Sequence, residues 1–496
     1  MKFRTALMLG AVFLAGAATG PEILRLARNA PTALTSSAHA QTPATPDTAA
    51  DTAGTAAADK SHAETYRLLT LFGTVFDRVR ADYVEPVSDR DLISNALNGM
   101  LSGLDPHSSY MTEKQYAEMQ VQTTGKFGGL GLEVQGEDGH VRVVSPVDGT
   151  PAWRAGIKPD DYIVAIDGHN IDGSPLNDSV EKMRGKPGTK ITLTIVRAKT
   201  PKPITMTLTR EIIHIEVVRS ALYGKTGYIR LTQFDEETSS QMNKAYESLS
   251  RQAGGKLEGL VLDLRNDPGG LLNQAIAVSS AFIRQGEIVS TRARHPKDSQ
   301  RWDANGSDIT GGMPIVVLIN GGTASAAEIV SGALQDHHRA VVLGTKSFGK
   351  GSVQTVTPIP GNGAVRLTTA RYYTPSGRSI QALGIVPDVV VKETRESPAF
   401  SIREADLAHI IRNEGGNKTE AAPRTDLPPL AKNIPDQPPA NWPEFDRTKP
   451  DTDFQLQEGL RLVRSMAGAP APDPVASLPP VTTPQPSQTK NETSHH

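Results

Sequence analysis

Cysteine is absent from this sequence. That removes disulfides, thiolate metal sites and a cysteine nucleophile together. An excess of either charge is also missing: 52 basic residues face 54 acidic ones, for a net charge of −2. No basic run tracks a phosphate backbone, so nucleic acid is not an expected partner. The histidines lack metal-ligand spacing, and neither a metal nor a cofactor is expected. No repeat of solenoid length is evident. With 496 residues the chain is long for one domain, and two or three are expected once its tails are set aside.

A long hydrophobic run is lacking too. The strongest, Ala6 to Ala18, follows Lys2 and Arg4 and falls short of the ~20 apolar residues a bilayer span needs. Together with Ala38-His39-Ala40 before Gln41, it points to an export signal cleaved near Ala40, with an uncleaved N-terminal anchor as the alternative. Residues 41–62 are rich in Thr, Ala, Pro and Asp and read as a structureless tether. The chain beyond Gly468, rich in Pro, Thr and Ser, reads as a disordered tail.

Between these ends the patterning changes three times. Leu68, Leu69, Leu71, Phe72, Val75, Phe76 and Val79 recur at helical spacing, and a second amphipathic run covers Asp91 to Leu101. This helical module has packing, or contact with a second copy, as its expected role. The lone His107 beside Pro106 is expected to be structural. From Lys126 to Arg210, short alternating strands and glycine turns describe a small β module. Its Gly128-Gly129-Leu130-Gly131-Leu132, its Ala155-Gly156-Ile157-Lys158-Pro159-Asp160-Asp161 and its Ile166-Asp167-Gly168 resemble a PDZ domain. In such a domain Gly129, Leu130, Gly131 and Leu132 would present backbone amides to a chain-terminal carboxylate. From Ile213 to Val391 apolar strands alternate with helical stretches, an α/β core. Two more helices are expected at Ile402–Ile411 and Asp453–Met466, with proline-rich linkers around them.

The core carries the chemistry. Pro314 to Ile319 reads as a buried strand, Asn320-Gly321-Gly322-Thr323 as a turn, and Ala324 onward as a helix. Ser325 stands at that junction, where free helix N-terminal amides can stabilise an oxyanion. Lys350 lies among glycines and apolar residues, and burial would turn its ammonium into a base near neutral pH. Gln354 could hold that amine without adding a charge. Taken singly, a helix-start serine and a loop lysine are ordinary structural residues.

Ser325, Lys350 and Gln354, with Gly103-Leu104-Asp105-Pro106-His107-Ser108, Asp263-Leu264-Arg265-Asn266-Asp267-Pro268-Gly269-Gly270 and Arg371-Tyr372-Tyr373-Thr374-Pro375-Ser376-Gly377-Arg378, resemble the carboxyl-terminal processing peptidases, a tail-specific protease family. The resemblance implies a Ser-Lys-Gln serine endopeptidase. Its oxyanion hole would come from Gly269 or Gly270 and Ala326, and its substrates would be proteins or peptides with apolar C-termini. Arg184 matches an arginine that in some relatives couples PDZ position to the active site. Thr323 and Ala327 stand where the family often has serine, and Asp267 where it often has asparagine. The expected architecture is α+β and α/β, multidomain. It comprises a signal or anchor (1–40), the tether (41–62), a helical module (63–118), a PDZ domain (119–212), a peptidase core (213–395), a helical C-terminal region (396–468) and a tail (469–496). The expected compartment is the periplasm, and a homodimer, an activator or an adaptor remains open.

Two rivals stand against this. Asp336-His337-His338 supplies the partners of a Ser-His-Asp triad, yet a helix running from Ser325 would carry His337 ~18 Å away. The other rival is a catalytically latent or inert PDZ scaffold that only captures C-termini.

Overall fold

The computed structural model describes residues 48–395, 402–413 and 424–475, with side chains from residue 62 onward. The expected export signal, residues 1–40, and the tail from 476 on lie outside the described residues. The chain divides into two compact units, with the boundary between Leu104 and Asp105.

The smaller unit is helical. One helix spans Thr48–Asp82 and a second Asp89–Ser102, the latter started by Ser88, whose hydroxyl accepts the Asp91 N–H at 3.1 Å. The long helix begins inside the stretch expected to be a tether. Its alanine-rich run from Thr48 to Lys60 has high helix propensity, which a reading of low bulk alone underweights. Leu68, Leu69, Leu71, Phe72 and Val75 of that helix are exposed.

The larger unit holds three sheets and a linking ribbon. The PDZ-like module is a six-stranded antiparallel sheet whose main path runs Leu132–Glu137, His140–Pro146, Tyr162–Ile166, Lys190–Val196 and Ile204–Thr209. Val141, Val143, Ile163, Ile191, Leu193 and Ile195 alternate inward along it and form its core. Strands Lys126–Gly129 and Glu211–His214 pair antiparallel and close the module at its base.

The core after the PDZ-like module is built on a six-stranded sheet in the order Val218–Tyr223, Thr226–Leu231, Gly259–Asp263, Ile315–Ile319, Val341–Gly344 and Val389–Val390. After the first antiparallel pair every neighbour is parallel. Both faces are covered, so its central strands are almost wholly apolar, Asp263 at a strand end excepted. Leu260, Leu262, Ile315, Val317 and Ile319 pack on one side with helices Leu272–Ser280 and Ala326–Asp336. Val261, Val316 and Leu318 face the helix Phe454–Met466. That C-terminal helix, expected from sequence, caps the core: Phe454, Leu456, Leu460 and Val463 are buried there. Each such side chain contributes ~1.5–3 kcal/mol on burial.

A five-stranded antiparallel sheet stands beside it, with Ala364–Tyr373 pairing Ser109–Met111, Glu287–Ala293 and Ser352–Pro358. Ser109–Met111, expected within the helical module, is thus an edge strand of this sheet. The helix expected at Ile402–Ile411 does not form; only a 3-10 turn, Glu404–Asp406, occupies it. Glu404 is fully buried, and its carboxylate pairs with His107 at 2.8 Å and accepts from Gln381 at 2.9 Å. Those buried polar contacts outweigh the helical spacing of the segment.

Candidate active site

Strand Ile315–Ile319 delivers the chain into a turn that ends at Ser325, the residue before helix Ala326–Asp336. Ser325 has φ 53° and ψ −114°, a region that costs a non-glycine residue of order 1–3 kcal/mol. The surroundings hold it there. Thr323 Oγ1 donates to the Leu264 carbonyl at 2.8 Å, and the Ala324 N–H donates to the Asp267 carbonyl at 2.9 Å. The Ser325 N–H donates to Glu328 Oε2 at 2.8 Å. Thr323 therefore uses its hydroxyl structurally.

Glu328 is buried without exposed surface, and its carboxylate faces four donors. Oε1 accepts from Ser347 Oγ at 2.5 Å and from the Gly349 N–H at 2.7 Å. Oε2 accepts the Ser325 N–H and, at 2.9 Å, the Lys350 N–H. One oxygen atom thus joins the backbone of Ser325 to that of Lys350. Burial pushes this carboxyl up to about 7, while the Ser347 hydroxyl and the three N–H groups pull it back. Sequence reading missed Glu328, although its position three residues after a helix-start serine is a capping-box signature.

Lys350 is 4% exposed. Burial lowers its ammonium to about 8, helped by the charge of Arg366 and opposed by Glu404, Glu328 and Asp105. Three of those groups come from segments distant in sequence. Asp105 accepts from His107 N–H, Ser108 N–H and Ser108 Oγ, and Thr368 Oγ1 donates to it at 3.0 Å. The Asp105-to-Ser108 motif is therefore structural, as expected of His107. Gln354 is buried, and its Nε2 donates to Ser352 Oγ at 2.9 Å. Its Oε1 has no hydrogen-bond partner among the described residues, leaving an acceptor for an amine.

Across from Ser325 lies the Pro268-Gly269-Gly270 turn. Gly269 has φ 95° and Gly270 φ 146°. A Cβ on Gly269 would lie 2.7 Å from Ala326 N and 2.8 Å from Ser325 Cβ, so only glycine permits this approach. The Gly269 N–H donates to Asp267 Oδ1 at 2.8 Å and is spent. The Gly270 N–H makes no such bond among the described residues. The residue after Ser325 is the first of its helix, where N–H groups lack an intrahelical acceptor.

His337 Nε2 bonds the Glu287 carbonyl at 2.6 Å, and Asp336 pairs with Arg378. Neither faces the serine, which removes the Ser-His-Asp rival. Among the described residues no acidic or histidine cluster could hold a metal ion.

In the PDZ-like module, Gly129, Leu130, Gly131 and Leu132 line one cleft together with Phe127, Met183 and Arg184. Leu132–Glu137 is an edge strand, able to pair with an extended peptide, and helix Leu176–Met183 forms the opposite wall. The Arg184 guanidinium stacks 4.8 Å from the centre of the Phe127 ring. Lys126–Glu237 and Lys114–Glu181 ion pairs tie the module to its neighbours in sequence and space.

A PDZ-like β module ahead of an α/β core with a serine on a strained strand-to-helix turn defines a serine peptidase with a PDZ domain. The chain matches peptidase family S41 over residues 225–391, a PDZ domain over 142–197 and the activating protease CtpB N-terminal domain over 33–115. It is 54% identical over 330 residues to a carboxy-terminal-processing protease of Bartonella bacilliformis, covering 66% of this chain and 76% of that one. Over 317 residues it is 36% identical to the carboxy-terminal processing protease CtpA of Bacillus subtilis, covering 63% of this chain and 67% of that one. A solved photosystem II D1 C-terminal processing protease is 30% identical, with a TM-score of 0.38 over 65% of this chain and 92% of that chain. The chain belongs to the carboxy-terminal-processing proteases of peptidase family S41.

Proposed function

We propose that the protein is a tail-specific endopeptidase in which Ser325 is the nucleophile and Lys350 its base. Neutral Lys350 takes the Ser325 Oγ proton as that oxygen attacks the scissile carbonyl. The amides of Gly270 and Ala326 receive the oxyanion, and each such donor is worth ~3 kcal/mol in the transition state. Lys350 then protonates the leaving amine as the C–N bond breaks. Water, deprotonated by Lys350, hydrolyses the acyl-enzyme and frees Ser325. Gln354 Oε1, without a partner among the described residues, is the acceptor the lysine amine would take up as it approaches Ser325.

The PDZ cleft selects substrates by an apolar C-terminus, its glycine loop reading the carboxylate and Arg184 sensing occupancy. The exposed stripe of Leu68, Leu69, Phe72 and Val75 supports a homodimer through the helical module. An activator or adaptor would act on the PDZ module. The basic and apolar N-terminus supports export to the periplasm, either cleaved near Ala40 or retained as an anchor.

The observation that carries the reading is the shared acceptor: Glu328 Oε2 binds the backbone of both Ser325 and Lys350. The test is cleavage of an unfolded substrate with an apolar C-terminus by the parent protein, Ser325→Ala and Lys350→Ala. The parent should cut and both variants should not. Cleavage persisting in both would end the mechanism, and no cleavage by any form would favour the scaffold or a latent enzyme.

A further inference from the structure

Two carboxyls flank the nucleophile turn, and they are wired oppositely. Glu328 faces four donors, which suits an anion. Asp267 has no exposed surface either, yet only one donor reaches it: Oδ1 accepts the Gly269 N–H at 2.8 Å. Oδ2 has no partner among the described residues. A buried carboxylate needs a cation or several donors, and an oxygen left bare costs its full desolvation.

The charged groups whose fields reach Asp267 do not compensate it. Arg230, on strand Thr226–Leu231, donates to the Arg265 carbonyl at 3.2 Å and sits 3.9 Å from Asp263. Asp263, at the end of strand Gly259–Asp263, is itself held by Arg265 and adds a repulsion. Helix Leu272–Ser280, next along the chain, carries no charged residue. On the other side, the Asn320–Ser325 turn is uncharged, and Glu328 is saturated by its own donors. Burial accordingly pushes the Asp267 carboxyl well above the usual range.

Position makes this consequential. Asp267 supports both halves of the oxyanion site, through its side chain to Gly269 and through its carbonyl to the Ala324 N–H. Gly269 in turn abuts Ala326 N.

We propose that Asp267 works as an uncharged carboxylic acid, and that its ionisation switches the peptidase off by placing a negative charge against the amides that receive the oxyanion. An asparagine there would have no such switch; the aspartate sets an alkaline limit on activity. The proton rests on Oδ2, the oxygen without a donor, while Oδ1 continues to accept from Gly269. Loss of that proton leaves the hydrogen bond in place and changes only the charge. Developing negative charge on the tetrahedral intermediate is then opposed at close range in a low-dielectric setting. Asp267 is a positioning residue in this scheme and touches no substrate atom.

The inference rests on the Ser325–Lys350 reading, and one experiment separates the two. kcat/KM is measured for the parent and Asp267→Asn from about pH 7 to about pH 10. Lys350 titrates in both, so its effect cancels in the ratio of variant to parent. That ratio should climb about tenfold or more toward alkaline pH. Infrared spectra should show a protonated carboxyl band in the parent that disappears as the ratio climbs and is absent from the variant. A flat ratio, or a variant inactive at every pH while folded, overturns the proposal. If Ser325→Ala and Lys350→Ala are dead in the same assay, a flat ratio refutes only the role of Asp267. If they cleave, the underlying site reading has failed instead. Asp267→Ser, uncharged and still able to accept from Gly269, replaces the asparagine variant should that one not fold.

Discussion

Arg265 and Asp453 form a two-pronged ion pair, Nη1 to Oδ1 at 2.8 Å and Nη2 to Oδ2 at 2.7 Å, across 188 residues of sequence. Arg265 belongs to the motif that leads into the Pro268-Gly269-Gly270 turn, and it also binds Asp263 at 2.7 Å. Asp453 begins the C-terminal helix and caps it, accepting the Leu456 N–H at 3.0 Å. The C-terminal helix is therefore tied to the segment that leads into the Pro268-Gly269-Gly270 turn.

Asp453→Ala should destabilise the protein strongly. It leaves the buried Arg265 guanidinium with one anion and removes a helix cap, a combined cost of ~3–5 kcal/mol. Denaturant unfolding measures it. A loss under about 1 kcal/mol would mean that water or another group replaces Asp453 readily.

Glu328→Gln should fold and lose about a hundredfold or more in kcat with KM little altered. The amide keeps one acceptor but turns an NH2 toward donors, so the Ser325 turn and the Lys350 loop part. An equal fall in substrate affinity would place Glu328 in binding instead.

The pH dependence follows from the lysine. Its ammonium is lowered to about 8, so the reactive neutral amine is scarce below that pH and abundant above it. kcat/KM should therefore rise with pH through about 8. Lys350→Arg, which stays protonated, should be inactive across the range. A profile unchanged in that variant would remove lysine as the base.

Capture of the substrate end can be read separately. Amidating the C-terminus of an apolar-tailed peptide should lower kcat/KM about tenfold or more, because the glycine loop loses its carboxylate. Arg184→Ala should reduce the difference between free and amidated peptides. Equal rates for both peptides would exclude carboxylate reading.

His337→Ala should remain active, since its ring is committed to the Glu287 carbonyl. It should cost no more than about 1 kcal/mol of stability. Loss of activity in the folded variant would revive the triad.

Much of this was legible in the chain itself. The strand, glycine turn and helix around Ser325 follow from an apolar run, a Gly-Gly pair and an alanine-rich start, all of them local signals. The PDZ strands follow from period-two alternation. The C-terminal helix is visible from Leu456, Leu460 and Val463 at helical spacing. Local signals misled where long-range contacts decided. Residues near Glu404 have helical spacing, yet Glu404 turns inward to His107, 297 residues away. No pattern in the sequence encodes that pairing, because its partners meet only after the sheets have assembled.

Sequence alone thus determined which residue types the site contains and which elements carry them, since periodicity and turn chemistry act within a few residues. Tertiary structure decided their states. Burial lowers the Lys350 ammonium, one oxygen of Glu328 joins its backbone to that of Ser325, and enclosure with a single donor raises the Asp267 carboxyl. Each of these depends on the desolvation and the partners a group meets in the folded protein, and both come from distant parts of the chain.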